Sequence, residues 1–105
     1  MSSGIIGGNI SSMGVFQLSV DLSNNPTITT AVTSVTVPGV RVGDFVFANK
    51  PTATTGVGIV NVRVSAANTV EIQTMNPTIG AIDPAAEIFV FVWIRPEAVE
   101  TGIRP

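Results

Sequence analysis

Any catalysis by this chain would depend on carboxylates, lysine or hydroxyl groups, because it contains neither histidine nor cysteine, and the seven carboxylates are the first candidates. Without those two types, the commonest general base, the usual zinc ligands and the Ser-His and Cys-His nucleophile pairs are all excluded. The carboxylates are Asp21, Asp44, Glu71, Asp83, Glu87, Glu97 and Glu100. They are scattered, with no spacing typical of a calcium loop. We therefore predict no metal, no cofactor and no small-molecule substrate.

Asp44 and Asp83 are the only carboxylates that we would nominate as a pair at loop edges. Asp44 follows Gly43 at the start of a predicted strand, and Asp83 precedes Pro84. A carboxylate-based glycosidase needs two such groups about 5 to 9 Å apart across a cleft. Aspartate at these positions commonly accepts hydrogen bonds from nearby backbone N–H groups of its own loop instead. We favour this structural role, and a small enzyme stays an alternative.

The elements that must position these groups are clearest in residues 58–76, GIVNVRVSAANTVEIQTMN. Apolar and polar residues alternate from Val60 to Val64 and again from Val70 to Thr74, which predicts two half-buried strands. A three-residue loop of Ala66, Ala67 and Asn68, with Asn68 in the left-handed conformation that asparagine tolerates, would join them as a hairpin and place Ser65 opposite Thr69. The register that follows pairs Val64 with Val70, Val62 with Ile72, Val60 with Thr74, Arg63 with Glu71 and Asn61 with Gln73.

The last predicted strand, residues 88–94 (IFVFVWI), is apolar on both faces and is far shorter than the about 20 residues of a membrane-spanning helix. One face carries Ile88, Val90, Val92 and Ile94, and the other carries Phe89, Phe91 and Trp93. Such a strand must be covered on both sides, whereas a small antiparallel domain normally has one core. It is therefore either a central strand beneath long loops or a strand whose rings meet a second copy.

The remaining patterns complete the fold prediction. Residues 15–22 alternate, residues 27–37 are almost wholly β-branched or alanine, and residues 44–49 form another short strand. No window has helical periodicity. We predict an all-β chain, a small antiparallel β-sandwich or barrel of about six strands, over residues 15–96. Residues 97–105 form a C-terminal tail.

Residues 1–14 are rich in glycine and serine, with isolated isoleucines at Ile5, Ile6 and Ile10. This composition predicts a flexible N-terminal arm, and an arm with spaced isoleucines can become ordered on a partner. The arm has neither a basic region nor a long apolar run, so we expect no secretory signal and no membrane partner.

Charge and hydropathy exclude one further class of partner. Charged residues make up 11% of the chain, the net charge is −2 and the mean hydropathy is +0.49. Five lysines and arginines spread singly provide no basic surface for phosphate backbones, so we expect no nucleic-acid binding. So apolar a composition also predicts that part of the surface is hidden by self-association.

Several motifs in residues 35–96 occur together. They are VPGVRVGD at 37–44, NKP at 49–51, GIVNVRVSAANTV at 58–70, NPT at 76–78 and AIDPAAE at 81–87. In this combination the segment resembles a domain of small virion proteins of tailed bacteriophages, of the capsid decoration or cement type. The same kind of domain is found in phage proteins of unassigned role.

The resemblance implies a non-enzymatic structural protein, made in the bacterial host cytoplasm, that sits on the capsid exterior as a homotrimer at three-fold or quasi-three-fold positions. There it would brace neighbouring subunits of the major capsid protein. The residues assigned to these contacts are Phe89, Phe91 and Trp93 near the trimer axis, and Ile5, Ile6 and Ile10 on the capsid. The alternative is a tail or fibre component, such as a carbohydrate-binding module using Trp93, although the chain has one tryptophan and no tyrosine.

Overall fold

The structure, a computed structural model, describes residues 9–97, and within them six strands form two antiparallel three-stranded sheets without any helix. The strands are β1 (Ile10–Val20), β2 (Thr29–Thr36), β3 (Phe45–Asn49), β4 (Gly58–Ala66), β5 (Thr69–Asn76) and β6 (Glu87–Pro96). The first sheet has the order β1-β6-β3 and the second has the order β2-β5-β4. Their inner faces share one apolar core. The predicted all-β sandwich is confirmed.

The hairpin of β4 and β5 follows most of the predicted register. As predicted, Arg63 lies opposite Glu71, and the other matching pairs are Val64 with Val70, Val62 with Ile72 and Asn61 with Gln73. Asn68 adopts a φ of 60°, the left-handed conformation expected of it. At the turn, Ala66 rather than Ser65 pairs with Thr69, because the ladder shifts between Val64 and Ala66. The alternation of apolar and polar residues therefore predicts the register correctly wherever the strands are regular.

The prediction for Val60 is wrong, because a β-bulge intervenes. The ladder shifts between Ile59 and Asn61, so that Ile59, and not Val60, lies opposite Thr74. Ile59 packs against the core, and the side chain of Val60 is half exposed. A bulge places two residues opposite one and reverses the side to which the following side chains point. Val60 thus moves from the predicted inner face to the surface.

The core sits between the two sheets and contains the two rings assigned to the trimer axis. Phe89 and Phe91 are both 0% exposed within one chain. The ring of Phe16 stacks on that of Phe91 at 4.9 Å between centroids. Val70 and Ile72 of the second sheet belong to the same core. The structure corrects the sequence prediction for Phe89 and Phe91, because the second sheet already covers them and a second copy would find no exposed part of either ring.

The first strand begins earlier than predicted. β1 starts at Ile10, so residues 10–14, which were assigned to the arm, pair with the last part of β6. Ile10 itself is half-buried opposite Pro96. Ile5 and Ile6 lie outside the described residues. The composition of this stretch, rich in glycine and serine, does not predict a strand. Its place in the sheet depends on the partner strand and not on its own propensity.

Three buried polar side chains close the sandwich where β6 begins. Thr74 Oγ1 donates a hydrogen bond to Asn25 Oδ1 at 2.7 Å, and Asn76 Nδ2 donates to the carbonyl of Gly80 at 2.7 Å. Asn25 also exchanges backbone hydrogen bonds with Ile82. These hydrogen bonds hold the long connection from β5 to β6 against the loop after β1. Every buried polar side-chain atom in residues 9–97 has a hydrogen-bond partner, as is usual in native structures.

We predict that Phe91→Ala lowers the free energy of unfolding by about 3–5 kcal/mol, because the substitution removes a fully buried ring and leaves a cavity. The loss should be the same at all protein concentrations, since the ring packs within one chain. Chemical denaturation followed by tryptophan fluorescence or circular dichroism measures it.

Val32→Ala is the control, because Val32 lies half exposed on the outer face of the second sheet. Its cost should stay within about 0.5 kcal/mol. A Phe91→Ala loss no larger than that of the control would contradict the placement of this ring in the core.

Candidate functional site

The outward side of the second sheet is mostly polar. Its cross-strand rows combine serine, threonine, asparagine and glutamine with one ion pair, and they include two half-exposed apolar side chains, Val32 and Met75. Arg63 Nε donates to Glu71 Oε1 at 2.8 Å across neighbouring strands. An exposed pair of this kind contributes at most about 1 kcal/mol. This side has the composition expected of a surface in contact with water, and we call it the polar face.

The outward side of the first sheet is apolar. Its members are Met13 and Val15 from β1, Phe45 and Phe47 from β3, and Ile88, Val90, Val92 and Ile94 from β6. We call this set the apolar face. Six of the eight are substantially exposed, with Val15 at 69% and Phe47 at 57%. The outward-pointing residues of 11–19, 45–49 and 88–94 include no charged side chain.

The apolar side chains of this face line up in rows across the three strands. Met13, Ile94 and Phe45 form one row, and Val15, Val92 and Phe47 form the next. Side chains directly opposite on neighbouring strands stand about 4.5–5.5 Å apart, so each row is a continuous ridge. Towards the other end of the sheet the rows become mixed, as Val90 is flanked by Gln17 and Asn49. The apolar rows therefore lie at the end of β6 where the described chain begins and ends.

A groove continues the apolar surface beyond β3. It has a volume of about 650 Å³ and runs along the seam between β3 and β4, which approach each other without forming a ladder. Phe45 and Phe47 line one side, and Val60 lines the other together with Asn61 and Arg63. The bulge in β4 is what brings Val60 to this seam. The apolar face thus has a concave border along β3 and an open border along β1.

An ion pair holds the loop that precedes β3. Arg95 Nε and Nη2 donate to the two carboxylate oxygens of Asp44 at 3.0 and 2.8 Å, and Nη2 also donates to the carbonyl of Gly39. Asp44 further accepts the backbone N–H of Arg41, as predicted for an aspartate at this position. The Arg95 guanidinium, aided by the Arg41 N–H, holds the pKa of Asp44 below its ordinary value despite burial. Asp44 is therefore a structural carboxylate that anchors β3 to β6.

A second ion pair fixes the other end of β6. Lys50 Nζ lies 2.8 Å from Glu87 Oε1, and the Thr52 hydroxyl donates to Glu87 Oε2 at 2.7 Å. The Lys50 ammonium, followed by the Thr52 hydroxyl, lowers the pKa of Glu87. Lys50 also donates to the Thr52 carbonyl and the Thr54 hydroxyl. Both ends of the central strand are thus tied to the segments that flank β3.

Trp93, the third residue assigned to the trimer axis, lines a cleft of about 490 Å³ at the open edge between the sheets. Phe16, Leu18 and Pro38 also line it. The Trp93 ring is half-buried, with the Arg95 guanidinium carbon 5.1 Å from its centroid. A Cβ added at Gly14, the cross-strand neighbour, would come within 2.9 Å of the indole nitrogen. The ring therefore rests on Gly14 and beneath Arg95, which leaves little of its face for a ligand.

The nominated carboxylate pair is not brought together. Asp44 contacts Arg95 near the end of β6, whereas Asp83 precedes the start of β6, beside the bridge between Asn25 and Ile82. At about 3.3 Å per residue, most of the length of β6 separates the two ends. This distance is several times that between glycosidase carboxylates. Within residues 9–97, no group of three or more acidic, histidine or cysteine side chains is placed to hold a metal, and no helix long and apolar enough to cross a membrane occurs.

Comparisons with protein-family models, with curated proteins and with solved structures each gave no match to this chain.

The apolar face as a whole was not identified from the sequence, although one signal was present. Phe45 and Phe47 alternate with Val46 and Ala48, so β3 is apolar on both faces in the same way as β6. Two neighbouring strands of this kind indicate a sheet that is apolar on both sides. The pairing of β3 with β6 was needed to bring the two signals together, and strand order is not encoded in a local pattern.

We predict that Asp44→Asn lowers stability near neutral pH and flattens its dependence on acid pH. The folded-state pKa of Asp44 lies below the unfolded value of about 3.9, so its contribution is fully present above that value and is lost as the pH falls through the folded pKa. The substitution removes the charge of a buried, hydrogen-bonded carboxylate, and this should lower the free energy of unfolding by about 1–3 kcal/mol at pH 7.

Denaturation of the wild type and of Asp44→Asn between pH 7 and about pH 2, which brackets the carboxylate range, measures the difference. The two curves should converge at the acid end. A constant difference across this range would show that the carboxylate charge is not what stabilises the loop before β3.

Proposed function

We propose that this chain is a non-enzymatic structural protein of a phage particle, a decoration or cement protein that binds the outer surface of the capsid as a homotrimer. The observation that carries the proposal is the uncharged apolar face on the outside of the first sheet. The largest contiguous apolar patch of a soluble single-chain protein is typically about 300–600 Å² and is often functional, so an uncharged apolar sheet face of this order is a candidate interaction site. The resemblance of residues 35–96 to phage decoration proteins supports the same function.

The two faces of the sandwich fit a protein with one side towards an assembly and one side towards water. The polar face carries the Arg63 to Glu71 ion pair and mostly uncharged polar residues. The outward side of the first sheet has no charged residue within 11–19, 45–49 and 88–94, and its polar residues lie outside the two apolar rows. Copies repeated over a lattice can each bind modestly, because linked contacts act at a high effective concentration. A partner formed by capsid subunits and by other copies of this chain would satisfy that requirement.

The arm supplies the proposed contact with the major capsid protein. Ile5 and Ile6 lie outside the described residues, and Ile10 is the first residue of β1. The arm therefore joins the sandwich at the end of the sheet where the two apolar rows lie. From this junction, eight extended residues reach about 26 Å, enough to contact a neighbouring capsid subunit.

The cleft beside Trp93 supports the second candidate, a tail or fibre component that binds carbohydrate. It combines aromatic rings with Gln17 and Arg95, the mixture that sugar sites use. Arg95 covers the Trp93 ring, however, and its guanidinium is already engaged by Asp44. Binding on a glycan array that is lost in Trp93→Ala would favour this candidate over the capsid.

We predict that the purified protein binds heads that were assembled without it, that electron cryomicroscopy shows it at three-fold or quasi-three-fold positions, and that it raises the temperature at which those heads open. Replacing both Ile5 and Ile6 by serine should weaken binding by about tenfold or more. Burying one isoleucine side chain contributes about 1.5–3 kcal/mol, and about 1.4 kcal/mol corresponds to tenfold in affinity.

Val32→Ser on the polar face is the matched control and should bind as the wild type does. Unchanged binding of the Ile5 and Ile6 variant would remove the arm from the proposal. Absence of wild-type binding to such heads, at concentrations where the protein is folded, would refute the capsid function itself.

A further inference from the structure

We propose that the apolar face is the surface between copies of this chain, with the Phe45 and Phe47 border of one copy packed against the Met13 and Val15 border of the next. This inference rests on the proposed function, because it identifies the surface by which the proposed homotrimer forms. The proposed contact between copies is thus not made by the inward-pointing rings of Phe89 and Phe91 but by the outward side of the same sheet. It also assigns a role to the bulge at Val60.

The chemistry of the face favours a copy of the same chain as its occupant. Its outward-pointing residues carry no charge, so the face offers no complement to a charged surface. The flanking positions Gln17, Ser19 and Asn49 are polar and uncharged, as expected of the rim of an interface. Aromatic residues and methionine, which are enriched at the centre of protein interfaces, occupy both outer strands. Two such faces can cover each other without burying a charge, and the two charged residues that line the adjoining groove are already paired, Arg63 with Glu71 and Asp44 with Arg95.

The shapes of the two borders differ, and this difference favours a ring. The β1 border is open, and its Val15 is the most exposed member of the face. The β3 border is concave, because the groove lies beside it with Phe47 and Val60 on its two sides. An exposed border that packs into a different, concave border makes a heterologous contact, which closes into a ring when the rotation allows. A face meeting itself would give a two-fold dimer instead.

The area of the face is small for a single pairwise contact. Three strands about 4.8 Å apart, over about seven residues of about 3.3 Å each, form a plane on the order of 300–400 Å². A stable pairwise interface usually buries about 800 Å² on each partner. The plane alone is smaller than that, and the groove beside β3 adds further surface to it. In a ring, each copy would bury its β1 border against one neighbour and its β3 border with the groove against the other.

The first test changes one exposed residue of the face. Phe47→Asp should convert the trimer into a folded monomer, a threefold fall in mass from three times the 10.9 kDa chain, in multi-angle light scattering at micromolar concentration. Phe47 is exposed within one chain, so the variant should keep the wild-type circular dichroism spectrum. Val32→Asp, at a half-exposed apolar position on an edge strand of the polar face, is the control and should remain a trimer.

The second test asks which borders meet. The chain has no cysteine, so Val15→Cys with Phe47→Cys introduces the only two thiols. A short bifunctional maleimide should then give covalent trimers on a denaturing gel, and each single-cysteine chain should give none. Thr36→Cys with Ala66→Cys, which flank Thr69 just as Val15 and Phe47 flank Val92 and do not line the groove, should show only single chains.

The outcomes separate this inference from the proposed function. Wild-type protein that is monomeric at micromolar concentration, or a Phe47→Asp variant that stays trimeric, would overturn the inference. If that trimeric variant no longer bound heads, the apolar face would be the capsid contact and the capsid function would stand. Covalent dimers from either single-cysteine chain would show that like borders meet. If the variants behave as expected but the wild type does not bind heads, the inference stands and the capsid function fails.

Discussion

The central strand β6 is apolar on both faces, and within residues 9–97 only one of those faces is covered. The second sheet covers Phe89 and Phe91 and in doing so forms the core. Val90 on the opposite face remains exposed. Because β6 pairs with β1 on one side and β3 on the other, its outer face is extended in both directions by Val15 and Phe47. The apolar face, which we propose as the contact surface, is thus a consequence of how one strand is placed at the centre of its sheet.

The same strand is held firmly at both ends. The pair of Arg95 with Asp44 ties its last residues to the loop before β3, and the pair of Glu87 with Lys50 ties its first residue to the loop after β3. Asn68 from the second sheet accepts the backbone N–H of Gly39 in the same loop before β3. Contact residues carried on strands braced in this way lose little conformational entropy on association.

The functional site could be predicted from the sequence only in part. The prediction that this chain has more apolar surface than one core can cover agrees with the apolar face. The assignment of Phe89 and Phe91 to a contact between copies was wrong, because aromatic rings occur both in cores and at interfaces. Nothing local distinguishes the face that meets the second sheet from the face that does not. Phe45 and Phe47 join β6 only through strand order. Val60 reaches the groove only because the ladder of β4 contains a bulge.

By itself, the sequence determined the all-β class, the strand count, the hairpin of β4 with β5 and the left-handed Asn68. These features follow from interactions within a few residues: a period of two, β-branched side chains and the conformational tolerance of asparagine. The tertiary structure alone decided which strands share a sheet, that β1 begins at Ile10, and that Asp44 pairs with Arg95. It also decided that the rings of Phe89 and Phe91 point inward. Each of these depends on contacts between residues far apart in the chain, and no local pattern encodes the partner.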